Sequence, residues 1–210
     1  MNKREMLKSV ERYLFSFRKG GYERKILEAM SFVDRKDFVD GDFVYEDVAL
    51  SIGSGQTISQ PSTVARMLQL LELKDGDKVL EIGAGSSWVS CLIDYLVGEN
   101  GSVLGLEIIN SLVSLSRRRI RSLGFRNVKI LKKDFRKVEG YFDKIIFSAG
   151  IFLKQEKFIE DFAREHLISG GILVCPCREG PLIIFRKTNE GIQRSFSKED
   201  YVFVKLVLKD

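Results

Sequence analysis

Histidine and cysteine are scarce in this chain, and their scarcity removes whole classes of chemistry. Among 210 residues there is one histidine, His166, in a predicted helix far from every motif. Its expected role is structural, so a reaction built on an imidazole base has no carrier here. The three cysteines do not make a disulfide framework, and Cys175 and Cys177 lie two apart on one face of a predicted strand, so reduced thiols are expected. A Cys-x-Cys pair can open a zinc site, but neither Cys91 nor His166 stands at ligand spacing, and no metal is expected. No apolar run approaches the ~20 residues that cross a bilayer. Met1-Asn2-Lys3-Arg4-Glu5 leads into an amphipathic pattern instead of a signal-peptide core, so a cytoplasmic protein with no membrane partner is expected.

What is present reads as an ordinary globular chain, 44% hydrophobic and of a length that fits one domain. The net charge of +5 admits nucleic acid or acidic surfaces as partners without requiring either. Arg117-Arg118-Arg119 with Arg121, and the cluster Lys3, Arg4, Lys8, Arg12, Arg18 and Lys19, carry no interleaved aromatics. They are read as solvated helix faces, so nucleic acid is not the expected partner though the charge leaves it open, and a monomer is expected.

Met6, Leu7, Val10, Leu14 and Phe17 recur at three- and four-residue steps, which predicts a helix over 4–17 stopped by Gly20-Gly21, with a second helix over 22–31. Residues 32–60 hold short apolar pieces and turn formers, and the glycine-rich stretch 51–59 reads as a loop. Beyond Pro61 the order is regular: helix 61–72, strand 78–82, helix 87–97, strand 102–107, helix 110–122, strands 127–131 and 142–148, helix 155–166 and strand 171–176. Such alternation predicts the α/β class, a doubly wound and mostly parallel sheet covered on both faces. Apolar stretches at 182–185 and 201–208 predict an antiparallel finish at one edge. Residues 1–60 are expected to form a helical segment and loop packed on a domain over 61–210, as one compact unit.

The segment Lys78-Val79-Leu80-Glu81-Ile82-Gly83-Ala84-Gly85-Ser86-Ser87-Trp88 runs from apolar strand through glycine turn into helix. In sheets of this kind ligands sit beyond the carboxyl ends of the strands, and glycine lets the backbone approach them. Glu107 closes the next strand, 24 residues after Gly83, where a ribose would present its hydroxyls. Asp134 follows a third strand and could accept from an adenine amino group, with Phe135 beside it to stack. A dinucleotide would need glycine at position 88, where Trp88 would obstruct the pyrophosphate, and no Gly-Lys-Ser/Thr phosphate loop occurs. Glu81 near the turn suits a ligand with an amino group and a sulfonium, so the expected cofactor is S-adenosyl-L-methionine.

Across nearly its whole length the chain also resembles the protein-L-isoaspartate O-methyltransferase family. The resemblance rests on Ala29-Met30, Arg35, Phe38-Val39, Tyr45-Glu46-Asp47, Ile52-Gly53-x-Gly55-Gln56-Thr57-Ile58-Ser59-x-Pro61, the glycine turn and Tyr201-Val202-Phe203-Val204. It implies a Rossmann-like methyltransferase domain that methylates isoaspartyl carboxylates in damaged proteins and leaves S-adenosyl-L-homocysteine. Cofactor contacts implied are Glu81, Gly83, Ala84, Gly85, Glu107, Asp134 and Phe135. Ser59 is the implied active-site residue, with acceptor contacts at Ile58, Ser148, Ala149, Val202 and Phe203. A carboxylate joining a methyl sulfonium yields two neutral groups, so positioning and desolvation suffice and no general base is needed.

The chain departs from the family's usual pattern at Ser87 (glycine), Ser62 (histidine), Lys133-Asp134-Phe135 (Gly-Asp-Gly), Pro176-Cys177-Arg178 (Pro-Val-Gly) and Lys205 (proline). A side chain at Ser87 stands where it could crowd the methionine portion. Two other readings stay open at this point: a nucleic-acid base methyltransferase such as a tRNA enzyme, and a cofactor-binding relative without repair activity. The first lacks its expected Asn/Asp-Pro-Pro-aromatic turn, because the fourth strand runs into Ser148-Ala149-Gly150.

Overall fold

The computed structural model describes residues 1–208. Its first helix, α1 (Lys3–Phe17), starts at a capping box in which the Asn2 side chain accepts from the Glu5 amide and the Glu5 carboxylate accepts from the Asn2 amide. Met6, Val10 and Leu14 form its buried stripe. Helix α2 (Gly21–Phe32) buries Ile26, Ala29 and Met30, and both helices pack on α3 (Pro61–Leu71), which begins with proline at its first turn.

A seven-stranded sheet follows, in the order β5-β4-β3-β6-β7-β8-β9. The strands β3 (Lys78–Ile82), β4 (Ser102–Glu107), β5 (Val128–Lys132), β6 (Phe142–Phe147) and β7 (Leu167–Pro176) are parallel. Strands β8 (Glu179–Thr188) and β9 (Gly191–Val202) add the antiparallel edge. Side chains alternate between faces, so Val79 joins the core beneath α3, α4 (Trp88–Val97) and α5 (Asn110–Leu123), while Leu80 joins the one beneath α6 (Glu156–His166). The chain leaves β3 toward β4 and later returns to its other side as β6. That reversal opens a crevice at the carboxyl ends of β3 and β6, where such sheets hold their ligands.

Two segments differ from the sequence reading. Residues 50–58, read as a loop, form a hairpin of β1 (Leu50–Gly53) and β2 (Gln56–Ile58). Its two central residues, Ser54 and Gly55, have φ of 54° and 70°, the positive values a tight primed hairpin turn requires. The last strand runs over 191–202, whereas the apolar residues pointed to 201–208. Residues 203–208 instead cross the strand ends: the Phe203 amide bonds the Arg178 carbonyl at 2.9 Å, and the Gly150 amide bonds the Val204 carbonyl at 2.8 Å.

Candidate active site

Strand β3 stops at Ile82 because the turn after it needs left-handed backbone: φ is 80° at Gly83 and 48° at Gly85. The turn is also crowded. A Cβ on Gly85 would come within 3.2 Å of Ile52 Cδ1, closer than side chains ordinarily pack, whereas one on Gly83 would meet the Ala149 methyl at an ordinary 3.5 Å. Above it lies a cleft walled by Leu106, Glu107, Ile108, Asp134, Phe135, Ser148 and Ala149. Gln56 and Thr57 of the hairpin and Val204, Leu206 and Val207 of the terminal segment also line it, so two segments remote in sequence roof one cavity.

The three strand-end acids behave differently. Glu107 lines the cleft, and its carboxylate accepts from the amides of Gly85 (3.0 Å), Ile108 (2.7 Å) and Ile109 (2.9 Å). Those bonds fix it in place and leave it acceptor capacity for a ligand's hydroxyls. Asp134 also lines the cleft. The Arg136 guanidinium holds both its oxygens, at 2.6 Å for the shortest contact, and keeps its carboxyl below the usual range. Phe135 lines the cleft but stands edge-on to Phe147 and Phe162, at 5.3 and 5.2 Å between ring centres.

Glu81 is not on the cleft surface, contrary to the direct cofactor contact expected of it. It is wholly buried, accepts from the Ser148 hydroxyl at 2.7 Å and from the Ser90 hydroxyl, and burial pushes its carboxyl up to about 7. It reaches the cleft only through Ser148. Ala84 does not line the cleft either, since its methyl is turned toward Gly105 on β4. Trp88 is buried with its indole N–H on the Val33 carbonyl at 3.2 Å, so it packs toward the N-terminal helices and obstructs nothing above the glycine turn. Ser87 is also buried and does not line the cleft. It sits at φ 68° and donates to the Ser86 carbonyl.

A second groove adjoins the cleft, lined by Ser59, Ser62, Thr63, Val202 and Phe203. Strand alternation explains which hairpin residues reach it: Thr57 and Ser59 share a face, and Ile58 points the other way. Ile58 is only 3% exposed and belongs to the core, which corrects its expected place at the acceptor surface. The Ser59 hydroxyl makes no hydrogen bond among the described residues, whereas Ser62 is buried and accepts from the Gln60 amide at 3.0 Å. Val202 is 82% exposed over the groove and Phe203 is buried beside it. Thr57 and Val204 line both cavities and so mark their junction.

The residue that holds this side together is one the sequence carries only as part of the family resemblance. Arg35 is fully buried, and its guanidinium donates to the carbonyls of Val44 (2.6 Å), Glu46 (3.3 Å), Val48 (2.8 Å) and Ser59 (3.2 Å). Burial lowers its pKa to about 10, still leaving it charged at neutral pH. A lone arginine between Val33 and Phe38-Val39 was the available signal. Thr57 and Val204 gave no separate sign, because their shared position depends on how hairpin and terminus meet. His166 lies away from both cavities, with Nδ1 3.0 Å from the Gly140 carbonyl and its ring on Phe162.

The arrangement joins a roofed cavity with a fixed carboxylate to an open groove with an unengaged hydroxyl, and neither is lined by a histidine. The curated protein-L-isoaspartate O-methyltransferase of Fervidobacterium nodosum is 40% identical over 196 residues, covering 89% of this chain and 94% of that one. The protein of the same name from Thermosipho melanesiensis is 35% identical, again covering 89% and 94%. Among solved structures, one of a putative protein-L-isoaspartate O-methyltransferase from Plasmodium falciparum in complex with S-adenosyl-L-homocysteine superposes with a TM-score of 0.78, at 26% identity and 99% coverage of both chains. A family model described as protein-L-isoaspartate(D-aspartate) O-methyltransferase (PCMT) matches residues 7–210, and the chain belongs to that family.

Proposed function

We propose that this protein transfers a methyl group from S-adenosyl-L-methionine to the carboxylate of L-isoaspartyl residues in damaged proteins and peptides, with D-aspartyl residues as a second acceptor, and so initiates their repair. The observation that carries the reading is the junction at Thr57 and Val204, where a roofed donor cleft opens onto a groove that presents Ser59. The names of the relatives support the substrate, and the ligand of the Plasmodium falciparum structure supports the donor.

The residues present suit that donor. Gly83 and Gly85 provide a floor without side chains, Leu106, Ile108 and Phe135 provide apolar walls, and Glu107 provides a held carboxylate for ribose hydroxyls. S-adenosyl-L-methionine, when bound, supplies a methyl group activated by its sulfonium. Glu81 keeps the Ser148 hydroxyl fixed at the cleft wall without placing a full negative charge against it. The hairpin and the terminal segment exclude water from the cleft, which strengthens each polar contact inside. Ser59 donates a hydrogen bond that orients the acceptor carboxylate. That carboxylate is already ionised at neutral pH and becomes a neutral ester, so no residue has to remove a proton.

Three buried free thiols fit a reducing compartment, and we place the enzyme in the cytoplasm. The edge strand β9 exposes Arg194, Lys198 and Asp200, charges that discourage strand pairing between copies, in keeping with a monomer. The test offers radiolabelled S-adenosyl-L-methionine with an isoaspartyl peptide, its aspartyl twin, a D-aspartyl peptide and bulk tRNA. Base-labile label on the isoaspartyl peptide, reduced about ten- to thirtyfold in Ser59→Ala, is the expected result. Label confined to tRNA would sink the reading, and binding without turnover on any acceptor would make the chain a cofactor-binding relative.

A further inference from the structure

The groove leaves the Thr57–Val204 junction in two directions that carry opposite charge. The arm that contains Ser59 also carries Glu179 and Asp200. The other arm, between Ala49, the hairpin residues Gly55 to Thr57 and the terminal segment, carries Arg178 and Lys205 and, among the described residues, no acidic one. These are two positions at which the chain departs from its family's usual glycine and proline.

Both cations are anchored to one point. The Arg178 amide bonds the Ile151 carbonyl at 2.7 Å, and its Cα would lie 2.7 Å from any Cβ at Gly150, so position 150 admits only glycine. Lys205 pairs with the same Gly150 from the other side. The Arg178 guanidinium and the Lys205 ammonium each stand 5.6 Å from the Phe152 ring centre, and the Lys154 ammonium stands 5.8 Å from it. Three cations thus gather around one aromatic ring. Among the described residues neither Lys154 nor Lys205 has a carboxylate within 4.0 Å, and the one contact of Arg178 is a long 3.9 Å to exposed Glu179. The positive potential gathered around the ring is complemented by an anionic partner.

We infer that this cationic arm selects acceptor peptides with acidic side chains flanking the modified residue on one side. The inference rests on the proposed function, because the arm matters to acceptor choice only if the junction is where an acceptor is methylated. The occupant is an extended acidic peptide, because the open arm exposes Arg178 and Lys205, to which Asp or Glu side chains are complementary in charge. Asp200, in the arm that contains Ser59, disfavours the same residues on the opposite flank, so the preference is directional.

The test measures binding of fluorescent isoaspartyl peptides by anisotropy, with the protein saturated in S-adenosyl-L-homocysteine. The peptides carry Glu-Glu after the isoaspartyl residue, Glu-Glu before it, or Gln-Gln at both places. One Glu peptide is expected to bind about three- to tenfold tighter than the Gln twin, with the advantage fading at high salt. The ratio should collapse toward one in Arg178→Ala with Lys205→Ala. The charge reversal Arg178→Glu with Lys205→Glu should transfer the preference to a Lys-Lys flank, which separates lost charge from a damaged fold. Equal binding of all three peptides, a preference that survives both substitutions, or displacement of the Glu peptide by tRNA below the micromolar range would overturn the inference. Methylation is scored separately: preference without turnover counts against the proposed function, and turnover without preference counts against the charged arm.

Discussion

The donor cleft and the acceptor groove touch at Thr57, yet they are built in opposite ways. The donor side is made by the frame of the sheet: strand ends, a glycine turn, and a carboxylate held by three backbone amides. The acceptor side is made by segments outside the parallel strands, which are fastened by side chains. Arg35 ties the 44–59 region from within, Asp47 accepts from the Ser62 amide at 2.8 Å, and the Tyr13 and Tyr201 hydroxyls meet at 2.8 Å across the first helix and the last strand. Of the positions that depart from the family's usual pattern, Ser62, Arg178 and Lys205 line the acceptor side, Lys133 and Phe135 line the cleft, and Ser87 is buried and lines neither.

Substitutions can break the contrast, beginning with Arg35. Arg35→Met leaves several buried carbonyls without a donor and is expected to cost about 3 kcal/mol or more in urea unfolding. If the loss is instead confined to acceptor binding with stability intact, the acceptor side is an appendage and not part of the folded frame. Glu81 comes next. Its folded pKa of about 7 lies above its ordinary value of 4.5, so the stability it supports is complete below about pH 4.5 and is lost as pH rises through 7. Between pH 5 and pH 8 the wild type should therefore lose on the order of 2–3 kcal/mol relative to Glu81→Gln. Parallel stability curves for the two proteins would show that this carboxyl titrates normally.

The third substitution, Glu107→Gln, should weaken S-adenosyl-L-homocysteine binding by about thirty- to a hundredfold in calorimetry. An effect below threefold would remove the carboxylate from the donor's contacts. The smallest effect is expected at Ser87. A serine at φ 68° is strained, and Ser87→Gly should raise stability by about 0.5–1 kcal/mol. Because its side chain faces away from the cleft, S-adenosyl-L-homocysteine affinity should stay within about twofold. A larger gain in affinity would mean that Ser87 burdens the donor side after all.

Legibility in the sequence follows the same division. Strands buried on both faces announce themselves as apolar runs, so Lys78–Ile82 and Ser102–Glu107 are read to the residue. Strand β9 could not be, because an exposed edge carries Gln193, Arg194, Ser195 and Lys198 where a core strand would be apolar. The hairpin was hidden by its glycines, which suggest irregular chain until Ser54 and Gly55 are seen to form a turn. Site residues were placed by spacing and by the family resemblance. Neither says which way a side chain points, and so Ile58, Glu81 and Ala84 were assigned to cavity surfaces that they do not line, and Trp88 to a place where it would obstruct a ligand. For Ile58 the error is one step of a two-residue alternation, which no pattern could fix without the strand's register.

The Arg35 fork has a consequence for motion. One planar group serves four carbonyls spread from Val44 to Ser59, so these contacts are gained or lost together. Withdrawal of the guanidinium would release the whole stretch as a cooperative unit, and partial release would strand a buried cation with half its acceptors. Amide exchange along residues 44–59 should then proceed at one shared opening rate, and the groove would alternate between two states instead of widening by degrees.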